Sequence, residues 1–164
     1  MRLIVISALL LALGSVAEAG VYAVSPAACV ADRGSIQSDL YFATGGTVTF
    51  NATATGDIIL YCTAPPLSFT PSSVSLTYQD ESGTSSNHVT VQWIELDFAT
   101  GSLTSVATVD SITNGTTTGA GVKSWGTSFT HTYAPTTKAY YMRVDIKRST
   151  TTPVEKAVVV SISG

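Results

Sequence analysis

The sequence is poor in charge and in the side chains that most often carry catalysis. Only 12% of its 164 residues are charged, against roughly 25% in an average domain, and the formal net charge is −3. This composition excludes a nucleic-acid binder with a basic surface, a coiled coil rich in Glu and Lys, and a tail kept disordered by charge. The length suits one domain with its own core.

Motifs for metals, nucleophiles and phosphates are also missing. The two histidines, His88 and His131, have no cysteine at zinc-ligand spacing, and we expect both to be surface residues of strands. No G-x-S-x-G sequence marks a nucleophilic serine. The glycines before Lys123 have the wrong offset for a phosphate loop. The sequence therefore predicts no cofactor, no metal site and no enzymatic activity.

Carboxylates are the remaining candidates for chemistry. They would form a calcium site or an acid–base pair only if separate loops brought them together. Glu95 and Asp97 lie two residues apart and so share one face of a strand. Because no calcium-loop pattern accompanies the acids, we expect them to solvate outward faces, and their convergence stays an open question. The residues concerned are Asp57, Asp80, Glu81, Glu95 and Asp97.

The N-terminus has the pattern of a secretory signal. Arg2 precedes an apolar run over Leu3–Leu13, and Ala17-Glu18-Ala19 places small residues where a signal peptidase cleaves. The run is shorter than the ~20 residues of a membrane-spanning helix. We expect cleavage after Ala19 and a secreted, periplasmic or cell-surface protein with no membrane span after cleavage.

Two cysteines, Cys29 and Cys62, remain in the mature chain. An even cysteine count in an exported chain predicts one disulfide, with a single possible pairing. Closing this loop stabilises the fold by about 3–4 kcal/mol in the chain-entropy picture. We therefore divide the chain into a signal peptide (1–19), an N-terminal segment tied by the disulfide (20–35) and a β-sandwich domain (36–164).

Short stretches of β-branched and aromatic residues, separated by Gly, Pro, Asn and Ser, follow the N-terminal segment. They predict about nine strands and little helix. Regular short strands in an exported chain favour an all-β fold, an antiparallel two-sheet sandwich of the Ig-like or jelly-roll type, with a closed barrel as the main alternative. The predicted strands are Ile36–Phe42, Thr47–Asn51, Asp57–Cys62, Val74–Gln79, His88–Phe98, Leu103–Val109, Ser128–Tyr133, Ala139–Arg148 and Glu155–Ser163.

Alternation within these strands predicts which side chains enter the core. In Ala139–Arg148 the apolar set is Tyr140, Met142, Val144 and Ile146, and the solvent-facing set is Tyr141, Arg143, Asp145 and Lys147. In His88–Phe98 the apolar positions change phase after Trp93. We expect a bulge near Trp93 that returns Ile94, Leu96 and Phe98 to the core.

Binding residues are harder to choose. The longest predicted loop, Ile112–Thr127, contains Lys123 and Trp125, and loops of this length are often functional. An indole offers a stacking surface for a sugar or a protein, so Trp125, Lys123 and Trp93 are the candidate binding residues. The alternative is that Trp125 packs over the open end of the sandwich. The 25 Thr and 20 Ser of the chain fit the outer faces of exported sheets.

Charge is unevenly distributed along the chain. Residues 20–137 carry two bases against eight acids, whereas residues 138–164 carry five bases against two acids. We expect this division to reflect ion pairs between neighbouring strands. Head-to-tail association of subunits is the alternative.

With its signal, its early disulfide, Cys62-Thr63-Ala64-Pro65 after a strand and Tyr140-Tyr141 near the C-terminus, the chain resembles uncharacterised small secreted bacterial β-sandwich proteins. It is also similar to chaperone–usher and spore-coat-type pilus subunits, which have one early disulfide in an Ig-like fold. The first resemblance implies no known activity. The second implies donation of a strand to a neighbouring subunit.

Three functions follow as hypotheses. The first is an exported, non-enzymatic domain with an interaction or cell-surface role, or, within the same class, a pilus or coat subunit. The second is a carbohydrate-binding module that uses Trp125 or Trp93. The third is a hydrolase with carboxylate catalysis. The partner is an unknown protein or glycan, and self-association remains possible.

Overall fold

The computed structural model describes residues 20–37, 41–64, 70–118 and 121–164, so the predicted signal peptide lies outside the described residues. In chain order the strands are β1 (Val21–Val24), β2 (Val30–Ala31), β3 (Tyr41–Thr44), β4 (Thr47–Phe50), β5 (Gly56–Thr63), β6 (Ser73–Asp80), β7 (Asn87–Asp97), β8 (Leu103–Asp110), β9 (Lys123–Ser128), β10 (Lys138–Arg148) and β11 (Glu155–Ser163). The helical pieces are a 3-10 turn (Pro26–Ala28), α1 (Arg33–Gln37) and α2 (Ser111–Asn114).

The strands form two antiparallel sheets, which confirms the predicted β-sandwich. The six-stranded sheet has the order β3-β4-β11-β6-β9, and β1 also pairs with β11. On one edge of β11, β4 pairs near Ala157 and β1 pairs along Val160–Ser163. The five-stranded sheet has the order β2-β5-β10-β7-β8.

The core lies between the sheets and follows the predicted alternation. The apolar side chains of β10 at Tyr140, Met142, Val144 and Ile146 are all buried, and the residues between them keep partial exposure. Full burial of one such aliphatic or aromatic side chain contributes about 1.5–3 kcal/mol. A two-residue period is therefore sufficient to place this strand and its faces.

In β7 the expected bulge is present but its consequence is wrong. The register between β7 and β8 shifts after Trp93, where β8 holds one extra residue, Val106. Against β10, however, β7 keeps an unbroken register. Glu95 therefore shares the inner face with Trp93. Ile94 lies on the outer face, where it is nonetheless buried, and Phe98 is 58% exposed. The inward position of Glu95 is stable because polar partners surround it there.

The predicted strand Ile36–Phe42 is also wrong in its first part. Ile36 and Gln37 belong to α1, the middle lies outside the described residues, and β3 begins at Tyr41. The side chain of Asp32 accepts hydrogen bonds from the backbone N–H of Gly34 (3.0 Å) and of Ser35 (2.9 Å). This N-terminal capping favours a helical turn over an extended strand.

The predicted loop Ile112–Thr127 and the strand after it are likewise misplaced. Asp110 caps α2 with a hydrogen bond from the N–H of Ile112 (2.9 Å), and β9 then begins at Lys123. The segment predicted as the strand Ser128–Tyr133 forms no strand beyond Ser128. Its apolar residues Phe129 and Tyr133 pack against the core without ladder pairing, which explains why alternation alone was misleading.

The Cys29–Cys62 disulfide is confirmed, with a Cα–Cα distance of 4.5 Å. Because β1 pairs with the six-stranded sheet and β2 with the five-stranded sheet, the N-terminal segment connects both layers. A disulfide is compatible with an oxidising, extracytoplasmic location. Among the described residues, none of the helices is long and apolar enough to span a bilayer.

Candidate functional site

The outer face of the five-stranded sheet carries an ordered grid of mostly polar side chains. The register of β10 with β5 and β7 aligns residues of the three strands in rows across the sheet. Residues that face each other in this way have side chains on the same face and in contact range. From one end of the sheet, the rows are Asp57–Lys147–His88, Ile59–Asp145–Thr90 and Tyr61–Arg143–Gln92.

A cleft of about 190 Å³ lies on this grid, lined by all of its members except Tyr61. We call it the outer-face cleft. A second cleft of about 390 Å³, the end cleft, shares Asp57 and Lys147 with it and continues toward the end of the sheet. The remaining lining of the end cleft is rich in hydroxyls: Thr55, Gly56, Ser85, Ser86, Arg148 and Ser149. The two clefts thus form one polar surface along the strands.

Charges in the outer-face cleft compensate each other. Arg143 contacts the Oδ1 atom of Asp145 through Nη2 (3.0 Å) and Nε (3.1 Å). Lys147 Nζ lies 3.9 Å from Asp57 Oδ2. Burial raises the pKa of Asp145, and the neighbouring Arg143 acts in the opposite direction. With two acids and two bases in two pairs, the cleft presents donors and acceptors with no excess of either charge.

Aromatic and imidazole rings complete this surface. Tyr61, in the last row, is 40% exposed and meets Tyr141 edge-on, with ring centroids 5.8 Å apart. At the opposite end His88 lines the outer-face cleft, and its Nδ1 atom is buried without a hydrogen-bond partner among the described residues. His88 is a partly exposed strand residue, as the sequence predicts.

The candidate residues named from sequence lie elsewhere. Trp125 and Lys123 are on the edge strand β9 of the other sheet, where Trp125 is 53% exposed opposite Leu76. Lys123 Nζ reaches the carbonyl of Asn114 at 3.5 Å. Trp93 is fully buried and stacks on Tyr140, with centroids 5.6 Å apart. Trp93 therefore offers no ligand surface, and Trp125 is at the open edge of the sandwich.

Glu95 corrects the expectation that the carboxylates solvate outward faces. Its side chain is buried and bound by Lys138 Nζ (2.5 Å), His131 Nε2 (2.7 Å) and the Tyr140 hydroxyl (3.2 Å). Burial alone would raise the pKa of Glu95, but hydrogen bonds from Lys138 and Tyr140 and the charges of Lys138 and His131 hold it below its usual value. His131 is not a strand residue as expected; it belongs to this buried cluster.

Asp80 is the second buried exception. Its Oδ1 accepts hydrogen bonds from the N–H groups of Ser82 (2.9 Å) and Gly83 (2.7 Å), and its Oδ2 accepts one from the Ser111 hydroxyl. Directly across the ladder lies Glu155, which is also fully buried. The two inward carboxyls thus close the opposite end of the core from Glu95.

Burial raises the pKa of Glu155 to about 9, with further contributions from the charge and hydrogen bonding of Asp80 and the charge of Glu81. Arg148 opposes this shift. Two carboxylates that face each other are both acceptors, so they form a hydrogen bond only when one of them carries a proton. Glu155 is therefore held in its protonated form at neutral pH.

Apart from the facing pair Asp80 and Glu155, the acids do not converge on one centre. The Ser111 hydroxyl, which binds Asp80, also accepts from the N–H of Val89, and Glu95 lies six residues further along β7, about 20 Å away. Asp97 caps a turn by accepting from the N–H groups of Ala99 and Thr100, both at 2.9 Å. Within the described ranges, no three His, Cys, Asp or Glu side chains are grouped to hold a metal ion.

Sequence reasoning placed the cleft residues on a solvent-facing side but did not identify them as a site. The available signal was the run Tyr141, Arg143, Asp145 and Lys147, which puts charged side chains on the outer face of a long strand. β10 proves to be the middle strand of its sheet. That position surrounds its polar side chains with neighbours on both sides.

Comparison with known proteins adds no identification. No protein-family model matches the chain, and no curated protein shows significant similarity to it.

Proposed function

We propose that this protein is an exported, non-enzymatic binding domain whose ligand surface is the outer face of the five-stranded sheet. The observation that carries the proposal is the outer-face cleft and its continuation into the end cleft. The predicted signal peptide and the disulfide support export. The polar lining supports recognition of a ligand that makes directed hydrogen bonds.

A hydrolase with paired carboxylates receives less support from the geometry. Such enzymes place two carboxyl groups about 5–9.5 Å apart across the scissile bond. Glu95 and Asp80 are buried near opposite ends of the core, and in the facing pair Asp80 and Glu155 neither side chain is exposed to a substrate. This arrangement supports a binding role for the proposed domain over a hydrolytic one.

The pilus-subunit alternative is also less well supported. A subunit completed by a donated strand lacks a strand within its own sheet, and the donated strand fills that gap. In this chain β4 and β1 pair along one edge of β11, and β6 pairs along the other. The protein's own N-terminal strand therefore completes the middle of its six-stranded sheet.

The test is retention of the mature protein, residues 20–164, on envelope and secreted material from the organism that encodes it. A cleft variant, Gln92→Ala with Lys147→Ala, should lose retention because both side chains line the outer-face cleft. A matched variant on the outer face of the other sheet, Lys156→Ala with Ser161→Ala, should be retained like the unmodified protein. Equal retention of the cleft variant would remove this face as the ligand surface.

A further inference from the structure

We infer that the ligand of the outer-face cleft is a neutral glycan chain that lies along the strands from Tyr61 into the end cleft. This inference rests on the proposed binding function and names its ligand class. Four properties of the surface carry it: balanced charge, mixed hydrogen-bonding groups, an exposed aromatic ring and an elongated shape.

Balanced charge in the outer-face cleft selects a neutral ligand there, and the further cation of the end cleft, Arg148, is held by backbone carbonyls. Arg143 is committed to Asp145 at 3.0 Å and Lys147 faces Asp57 at 3.9 Å. A phosphate or carboxylate ligand would have to replace one of these acids, and an ammonium ligand one of the bases. Recognition of a charged polymer uses an excess of opposite charge instead. A neutral ligand can use both members of each pair as they stand.

The hydrogen-bonding groups match hydroxyls. A sugar hydroxyl donates one hydrogen bond and accepts others, so it needs a surface that offers both kinds of group. The outer-face cleft supplies guanidinium, carboxylate and amide groups at Arg143, Asp145 and Gln92, and the end cleft supplies the hydroxyls of Ser85, Ser86 and other residues. An apolar ligand would leave these groups without partners, which is costly.

Tyr61 supplies the apolar contact that a sugar ring also needs. Its ring is 40% exposed and is supported edge-on by Tyr141, so part of its surface is free while its position is restrained. An exposed aromatic ring gives a large contact area at low entropic cost. A protein partner would instead favour an interface with an extended apolar centre, and the rows between Tyr61 and the end cleft are polar except for Ile59.

The shape of the surface favours a chain over a single sugar. Between Arg143 and Lys147 the rows span about 13 Å along β10, and the end cleft extends the surface beyond Lys147. Several sugar units in sequence would fill this length. The ligand would run parallel to the strands, with its stacked ring at Tyr61.

The experiment uses the mature protein in affinity electrophoresis through gels that contain a neutral glycan: dextran, barley β-glucan or xyloglucan. Polygalacturonate and glycol chitosan serve as anionic and cationic comparisons. We expect at least one neutral glycan to slow migration equally at low and high salt. Tyr61→Ala and Gln92→Ala should each weaken this binding by up to about tenfold, the equivalent of a lost net contact.

Trp125→Ala is the matched control, since it removes an exposed aromatic ring from the other sheet. It should leave the retardation unchanged. If Trp125→Ala abolished binding while Tyr61→Ala and Gln92→Ala did not, the glycan site would lie at β9 and the inference would be overturned. Retardation by none of the neutral glycans, or a salt-sensitive preference for polygalacturonate, would also overturn it.

Treatment of the envelope material separates this inference from the proposed function. Periodate, which cleaves vicinal diols of sugars, should abolish retention of the mature protein, and protease should not. The opposite result is loss of retention after protease but not after periodate, while the cleft variant still fails to bind. That result would support the binding face and show that its ligand is a protein, not a glycan. Full retention of the cleft variant would refute both proposals.

Discussion

Replacement of Glu155 by glutamine should stabilise the domain at neutral pH. Glu155 is fully buried opposite Asp80, its partner across the ladder. Burial, followed by the charge of Asp80, raises the pKa of Glu155 from 4.5 to about 9. Glutamine has the same shape, carries no charge at any pH and can donate to Asp80 in place of the acid proton.

The sign and size of the effect follow from proton linkage. Because the folded state holds this proton more tightly than the unfolded state, stability is greatest below pH 4.5 and falls as the pH rises toward 9. The slope for one group is about 1.4 kcal/mol per pH unit. At pH 7 the glutamine variant should therefore be more stable by up to about 3 kcal/mol, whereas at pH 4 the two proteins should be equal.

Urea unfolding of the oxidised mature protein, followed by the fluorescence of buried Trp93, measures these free energies between pH 4 and pH 9. The difference between the two proteins isolates Glu155, because all other groups are shared. Asp57→Asn is the control, since Asp57 is an exposed acid that faces Lys147 at 3.9 Å and is not among the groups that shift the pKa of Glu155. If the free energies of unfolding of the Glu155→Gln variant and the unmodified protein changed in parallel with pH, Glu155 would not be protonated in the folded state and the argument would be refuted.

Three further substitutions test the remaining contacts by the same unfolding measurement. Glu95→Gln should destabilise the domain at neutral pH by about 1–3 kcal/mol, and the loss should shrink as the pH falls through the lowered pKa of Glu95; a constant loss down to acid pH would contradict this. Ser111→Ala should cost about 1–3 kcal/mol because it removes the hydroxyl that donates to Asp80 Oδ2 and leaves the Val89 N–H without a partner, and no loss would show that water replaces the hydroxyl. Paired Cys29→Ser and Cys62→Ser changes should cost about 3–4 kcal/mol, and thiol-specific mass shifts without reduction would show that no disulfide forms.

Two-residue alternation was sufficient to predict the buried face of a strand wherever apolar side chains occupy one face and polar side chains the other. β10 and β6 are such strands, and their buried apolar residues were predicted correctly from the sequence. In β7 the apolar residues change sets after Trp93, and the rule that apolar residues face inward gave the wrong face for Ile94 and Glu95. The deciding partners of Glu95 are Lys138 and His131, which are distant in sequence.

Helix capping by nearby side chains was a second reason why the predicted secondary structure was wrong. The carboxyl groups of Asp32 and Asp110 cap α1 and α2 and interrupt segments that had been predicted as a strand or a loop. β9 was missed because Lys123-Ser124-Trp125-Gly126 has no apolar alternation. It forms nonetheless, since its backbone completes the free edge of β6 and a hydroxyl pair joins Thr77 to Ser124 at 2.6 Å.

The candidate ligand surface depends on strand order, which explains why the sequence did not identify it. Arg143 and Asp145 have the composition of an ordinary solvent-facing set, and on an edge strand they would be flanked on one side only. β10 lies between β5 and β7, so Asp57 and Gln92 approach them from opposite sides and close the cleft. These three strands do not follow one another in the chain, and their apolar patterns do not indicate that they are neighbours in the sheet. A binding site made from the middle of a sheet is therefore recognisable only once the pairing of the strands is known.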